Sequence, residues 1–454
     1  MRKIILMVII VLAAQGLLSA QGKSLSLDDI RDLALINSRS LAKYNLAIQS
    51  SLLTERLQTY SNFPSLSLGV SASASLWTSD GIPQNLFKDS FSAGASFGVS
   101  QRLWNGGKNS IQKAINSLGT EMSRQDALAE YYSVLKAADS AYYGVLEAAA
   151  SLEVAESSLE TAALSLSMAE IRRQSGMISE SAYLQTLAEK AGRETSRNQS
   201  RRDLAIAKLK LKDLTGLDEA PNLLPVDFDS RESIITLLSN SSDEGIEKFF
   251  TVLWKQMQTR NPSMIKAALS FERTEKNVGL SKRDYSPTLS ASVSTGLNYT
   301  INNGLEPSGG RLSMSASFPI DVWVTAANVE KQKIARDQAA LDYRSSVSSM
   351  DMELRTLLYD LISQAGQILS SRRALDYAQK HFDYVLELYR LSRNSPSELS
   401  DAETLVRNNR NQLSRSQYSF LTGLSRIRSM GSFDSEEEII SLVHAVFNEA
   451  PVQP

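Results

Sequence analysis

The sequence predicts an α+β membrane protein, internally duplicated, in which β-hairpins close into a barrel and long α-helices continue it as a coiled-coil tunnel. Three observations carry that expectation. A serine-rich stretch alternates strictly between apolar and small polar residues, and it occurs twice. Long proline-free segments hold apolar residues at helical spacing. The order helix, hairpin, long helix, turn, helix appears once in each half of the chain.

The chain has 454 residues, a formal net charge of −2 and no cysteine. Without cysteine no disulfide can form, so stability has to come from packing and assembly. A near-neutral chain gives no electrostatic footprint for nucleic acid. Residues 1–20 read as a secretory signal peptide: Arg2 and Lys3, an apolar core, then Ser19 and Ala20 as a small-residue exit. The apolar core is shorter than the roughly 20 residues a membrane span needs. No other window has the apolar length of a membrane helix, so any crossing of a bilayer must use strands.

The first repeat is placed at 21–216. Ser26 is a helix cap candidate, followed by acids in the first turn, and apolar spacing continues to about Tyr60. A hairpin follows at 64–104. Leu66, Leu68, Val70 and Ala72 share one face of its first strand, and Ser65, Ser67, Gly69 and Ser71 share the other. The return strand sets Phe91, Ala93, Ala95, Phe97 and Val99 against Ser92, Gly94, Ser96, Gly98 and Ser100. The strands reach the ~9–11 residues that cross a bilayer when tilted. Aromatic residues stand at their ends, among them Trp77 and Trp104, as in the girdles of membrane barrels. Asn105-Gly106-Gly107 breaks the strand. A helix is expected from Lys108 to about Gln174, where roughly 65 residues rising 1.5 Å each span about 100 Å. Ser175-Gly176-Met177 turns the chain, and a helix returns to the glycine cap at Gly216.

Residues 217–245, with Pro221, Pro225 and several aspartates, read as a linker or equatorial segment. The second repeat, 246–430, restarts the pattern with a helix, a hairpin at 287–324, a long helix, a turn at Asn394-Ser395-Pro396 and a return helix. Tyr299 and Trp323 are its aromatic ends, with Trp323 standing where Trp104 stands in the first copy. Residues 431–454 form an acidic tail with a short amphipathic helix.

Open hairpins cannot stand in lipid, because their edge groups would lack partners. Four strands per chain would make eight from two chains or twelve from three, both allowed even numbers. The small polar face suits a water-filled interior. The sequence shows no catalytic constellation and implies no cofactor or metal: its two histidines, His381 and His444, are far apart, and no phosphate loop or nucleophile elbow is present. The competing reading is a secreted or periplasmic coiled-coil structural protein or adhesin whose strands form a soluble domain.

Over nearly its full mature length the chain resembles the TolC family of outer membrane efflux proteins. The resemblance rests on LSLDDIRDLAL near the N-terminus, FPSLSL at the strand entry, the corner QRLWNGGKNSIQKA and the turn RRQSGMISESAYLQTLAEKA. LKDLTGL closes the first half; SPTLSAS, SFPIDVW and SDAETLVRNNRNQL carry the second. It implies a homotrimer with a twelve-stranded barrel in outer membrane lipid and a helical periplasmic extension. It also implies partnership with a periplasmic adaptor (membrane fusion) protein and an inner membrane pump or ABC exporter, for efflux or secretion. By resemblance Glu398 and Asp401 take the acidic positions of the periplasmic constriction, and Tyr389 takes that of a tyrosine holding the closed tip. Gly176 and Met177 fall at the adaptor-contact turn. The chain departs from the family pattern at Asn394 and Ala182, where an arginine and an aspartate are usual; Arg393 is the nearest substitute. Glu398 and Asp401 also sit in a first helical turn, where acids complement the dipole without any further role.

Overall fold

A computed structural model describes residues 24–74, 91–300 and 304–448. The expected signal peptide, Trp77 and the tip of the first hairpin lie outside the described residues. The chain divides into two compact units. One gathers residues up to 43, 128–262 and from 347 onward; the other gathers 44–127 and 263–346.

The N-terminal helical stretch is two helices, α1 (Leu27–Asn37) and α2 (Arg39–Tyr60), not one. Ser26 opens α1 with a capping box in which Asp29 bonds back to the Ser26 backbone. Ser38 then adopts extended geometry, and its hydroxyl accepts from the Leu41 amide at 3.1 Å, starting a fresh helix. The strands β1 (Ser65–Ala74) and β2 (Phe91–Trp104) pair antiparallel. The helix α3 (Lys108–Gln174) is unbroken, and α4 (Glu180–Thr215) ends on Gly216 at φ +70°, a left-handed cap suited to glycine.

Beyond Gly216 come a 3₁₀ turn, α5 (Glu232–Ser239), α6 (Asp243–Arg260) and α7 (Pro262–Lys282). The single helix expected before the second hairpin is therefore two. Pro262 is the cause: it biases the residue before it away from helical geometry, and Asn261 sits at ψ 119°. The second hairpin pairs β3 (Thr288–Thr300) with two pieces, β4 (Gly304–Pro307) and β5 (Arg311–Ser317). Gly309, at φ +71°, lies in the interruption. The helices α8 (Val322–Arg390), α9 (Pro396–Gly431) and α10 (Glu436–Asn448) complete the chain. Trp323 is thus in the first turn of α8, whereas Trp104 ends a strand, so the two are not equivalent. β5 stops at Ser317, ahead of Pro319, and the next helix begins within the stretch expected as strand.

In the strand-bearing unit, β2 pairs with β3, joining the two hairpins in one sheet. One face is apolar and exposed: Leu68 is 78%, Val70 82% and Leu312 78% accessible. The other carries cross-strand hydroxyl pairs, Ser65–Ser100 at 2.6 Å, Ser73–Ser92 at 2.8 Å, Ser290–Ser315 at 2.9 Å and Ser292–Ser313 at 2.8 Å. The sheet ends in β1 on one side and in β4 and β5 on the other; within the chain no strand pairs those outer edges among the described residues.

The other unit holds a continuous apolar core where α1, α5, α6 and α10 meet the middle of α3 and α8 and the end of α9. Phe249, Leu253, Phe420 and Phe433 are fully buried there. A charged network threads this core. Arg31 reaches buried Asp139 at 2.6 Å, and also Glu436 at 2.8 Å, which Arg231 approaches at 3.3 Å. Burial opposes the Arg31 charge, but Asp139 and then Glu436 outweigh it and hold its guanidinium above its ordinary pKa. Burial, reinforced by Asp434, pushes the Tyr132 phenol up to about 12, and its hydroxyl donates to the Ser432 carbonyl at 3.0 Å. Residues 217–245 are anchored, not loose: Leu25 bridges to Leu223 as a parallel pair, and Ile234, Ile235 and Leu238 are buried.

Candidate functional site

The sequence singles out two regions: the turns that end α3 and α8, and the sheet. Both turns belong to the helical unit. At the first, the Gly176 amide donates to the Arg173 carbonyl at 3.0 Å and the Met177 amide to the Arg172 carbonyl at 2.8 Å. That is a Schellman closure, with Gly176 left-handed at φ +66°. Met177 follows it, 68% exposed. Ser179 caps α4 by accepting from the Ala182 amide. Arg173 lies over the Tyr183 ring, 4.1 Å from its centroid, and bonds Glu180 at 3.2 Å.

The second turn closes in the same way. Ser392 donates to the Tyr389 carbonyl and Arg393 to the Leu388 carbonyl, with Ser392 left-handed at φ +59°. Ser395 opens α9 with a full capping box: its hydroxyl accepts from the Glu398 amide, and the Glu398 carboxylate accepts from the Ser395 amide at 2.8 Å. Glu398 therefore has a local structural task. Asp401, one turn on, is exposed and has no hydrogen-bond or ion-pair partner among the described residues.

Tyr389 is fully buried, packed with Val385, Leu399 and Ala402. Its hydroxyl donates to the Ser165 carbonyl at 3.3 Å. The guanidinium of Arg172 stacks on its ring, 4.1 Å from the centroid, and donates to its carbonyl. Arg172 is the residue the sequence did not point to. It places a cation at the C-terminal end of α8, where free carbonyls and the helix dipole favour positive charge. Arg393, the nearest candidate substitute by position, makes no side-chain hydrogen bond or ion pair among the described residues. The structure thus brings Tyr389 beside the helix that carries Glu398 and Asp401, and it links the two turns through Arg172.

In the strand-bearing unit, Trp104 is 48%, Tyr299 40% and Trp323 67% exposed. The corner after Trp104 needs glycine: a Cβ at Gly106, φ +69°, would stand 2.4 Å from the Ser286 Cβ. Among the described residues no helix is long and apolar enough to cross a membrane, and no group of three or more His, Cys, Asp or Glu side chains could hold a metal ion.

Comparison with known proteins gives a consistent result. The sequence profile described as outer membrane efflux protein matches residues 30–217 and 253–430. Outer membrane protein TolC of Escherichia coli (strain K12) is 20% identical over 216 residues, 44% of this chain and 44% of that protein. The chain thus spans less than half the length of that curated relative. Among solved structures, CusC superposes with a TM-score of 0.71 at 18% identity, covering 93% of this chain and 91% of CusC. The Campylobacter jejuni CmeC outer membrane channel gives 0.73 at 16%, covering 92% and 89%. At these identities the likeness is one of fold.

Proposed function

We propose an exit-duct function from one premise: the chain belongs to the outer membrane efflux protein family. Three copies join their sheets edge to edge into one twelve-stranded barrel in the outer membrane, and their helices form a periplasmic tunnel. The observation that carries this reading is the sheet. It has an exposed apolar face for lipid, a hydroxyl face for a watery lumen, and outer edges that no strand of the same chain covers among the described residues. Exposed Trp104, Tyr299 and Trp323 serve as interfacial anchors.

At the helical tip, Asp401 and Glu398, repeated by three, form acidic rings at the entrance, and such rings favour cations. Tyr389, held by Arg172, fixes the end of α8 behind them. The exposed turn at Gly176 and Met177 meets a periplasmic adaptor, and an inner membrane pump or ABC exporter supplies the energy. The duct itself performs no chemistry.

The test is to fractionate cells and reconstitute the purified protein in planar bilayers. A heat-resistant oligomer in the outer membrane fraction that conducts ions supports the duct; a soluble monomer overturns it and favours the structural or adhesin reading. Within a conducting protein, Asp401→Asn is expected to reduce cation preference. Unchanged selectivity would return the tip carboxylates to helix capping alone.

A further inference from the structure

We propose that a half-open pocket lined by α3, α8 and α9 binds a small inorganic anion. The pocket has a volume of about 100 Å³, and Ser158, Gln379, Glu403, Arg407 and Arg410 contribute to its wall. That is more room than one water needs, about 10–15 Å³ on the same measure.

The chemistry of the wall is unbalanced toward donors. Ser158 is only 4% exposed, and its hydroxyl has no partner among the described residues. The buried Nε of Arg407 makes no hydrogen bond either, and its ion pair with Glu403 is long. Buried donors left unpaired cost about 1–3 kcal/mol each, so native proteins almost always satisfy them, with an unseen ligand if not with protein. A serine hydroxyl alone would accept water as readily as an anion. An arginine Nε only donates, which calls for an acceptor.

Ser157, also in the wall, is exposed to water, and Thr161, Gln379, Glu403 and Arg410 are already engaged. Thr161 donates to the Ser157 carbonyl at 3.1 Å. Gln379 donates to Asp383 at 3.0 Å and accepts from Arg410 at 3.2 Å. Glu403, the one carboxylate lining the pocket, is paired with Arg193 at 2.8 Å and lies 4.0 Å from the Arg407 Nε. Two guanidinium groups, those of Arg193 and Arg407, therefore share one carboxylate, and a third, that of Arg410, contributes to the same wall bonded only to the Gln379 amide oxygen among the described residues. The strain shows at Arg407: burial first, and then the charge of Arg193, hold its guanidinium below its ordinary pKa despite Glu403. A halide or a tetrahedral oxyanion placed between Ser158 Oγ and Arg407 Nε would satisfy both donors and neutralise part of the surplus. It would also tie α9, within two turns of Asp401, to α3 and α8.

The site is tested on the purified full-length protein in detergent by following its thermal midpoint at constant ionic strength. Sodium bromide and sodium phosphate are each titrated against bulky gluconate. The expected result is a saturable rise with bromide, phosphate or both; which salt acts separates a halide site from an oxyanion site. Arg407→Gln is expected to abolish the rise. Ser158→Ala, which removes one hydroxyl from a folded helix, is expected to weaken the apparent affinity about tenfold, the scale of one hydrogen bond to a charged group. Crystals soaked in bromide, or in arsenate as a heavy phosphate analogue, should show an anomalous peak within hydrogen-bond reach of both donors. Equal midpoints in all three salts, or a saturable rise that survives both substitutions, would overturn the proposal and leave the pocket to water.

Discussion

The turns that end α3 and α8 share a backbone plan and differ in nearly everything attached to it. Both close as Schellman motifs with a left-handed residue, and a serine caps the helix that follows each. In the first turn glycine takes the left-handed place, and exposed Met177 stands beside it. In the second a serine accepts that strained place, the cap is a complete box with Glu398, and fully buried Tyr389 anchors the helix end. Arg172 comes from the first turn and serves the second. The duplication has thus kept a way of reversing the chain while dividing the labour. One turn presents a side chain outward; the other is fastened inward.

Three substitution pairs break or sharpen this contrast, each read by hydrogen–deuterium exchange of the turn amides in the assembled protein. The largest effect is expected from Tyr389→Ala. Losing a fully buried aromatic costs about 3–5 kcal/mol, so the α8 end should open widely, whereas Met177→Ala should change protection at its turn by less than about 0.5 kcal/mol. Equal responses would erase the distinction between inward and outward turns. Next, Ser395→Ala removes a capping box and should cost about 1 kcal/mol, more than Ser179→Ala, which removes a single hydrogen bond. The smallest effects are opposite in sign. Gly176→Ala should destabilise its turn by about 1 kcal/mol, while Ser392→Gly should stabilise its turn by less than that, because only glycine adopts the left-handed region without a steric cost. Stabilisation on both sides, or on neither, would show that the two turns are not under the same backbone constraint.

Much of the fold can be read in the sequence because its signals are local. Alternation at residues 66–72 and 289–299 is visible in any short window, and α3 needs only its long proline-free run. Two breaks were in plain view and carried more weight than the helical spacing around them. Pro262 splits one expected helix, and the serine at 38 starts a new one by capping Leu41. The glycines at 309 and 310 mark the gap between β4 and β5. The candidate site was harder to read. The bond from Arg172 to Tyr389 joins residues 217 positions apart, and no spacing rule predicts such a contact. Asp139 and Arg31 are likewise 108 positions apart. Nor does composition distinguish Glu398, which completes a cap, from Asp401, which one turn later has no partner among the described residues; that difference exists only once the turn has closed.

The hydroxyl face of the sheet has a consequence for assembly. Sliding β1 by two residues along β2 would keep every apolar side chain on its own face and leave an equal set of backbone bonds, so neither lipid nor hydrogen bonding would reject the slip. The glycines can. In the native register Gly69 faces Ser96, Gly98 faces Ser67 and Gly94 faces Ser71. The Ser96 and Ser67 hydroxyls lie only 2.9 and 2.8 Å from where a Cβ on Gly69 and Gly98 would stand. A slip by two residues would set Gly69 opposite Gly98 or Gly94, a gap against a gap, and would break up the complementary Gly69–Ser96 and Ser67–Gly98 pairs. The spacing of the missing side chains works as an index, like teeth and notches on a ratchet, by which a strand of nearly uniform polarity can recognise its correct position.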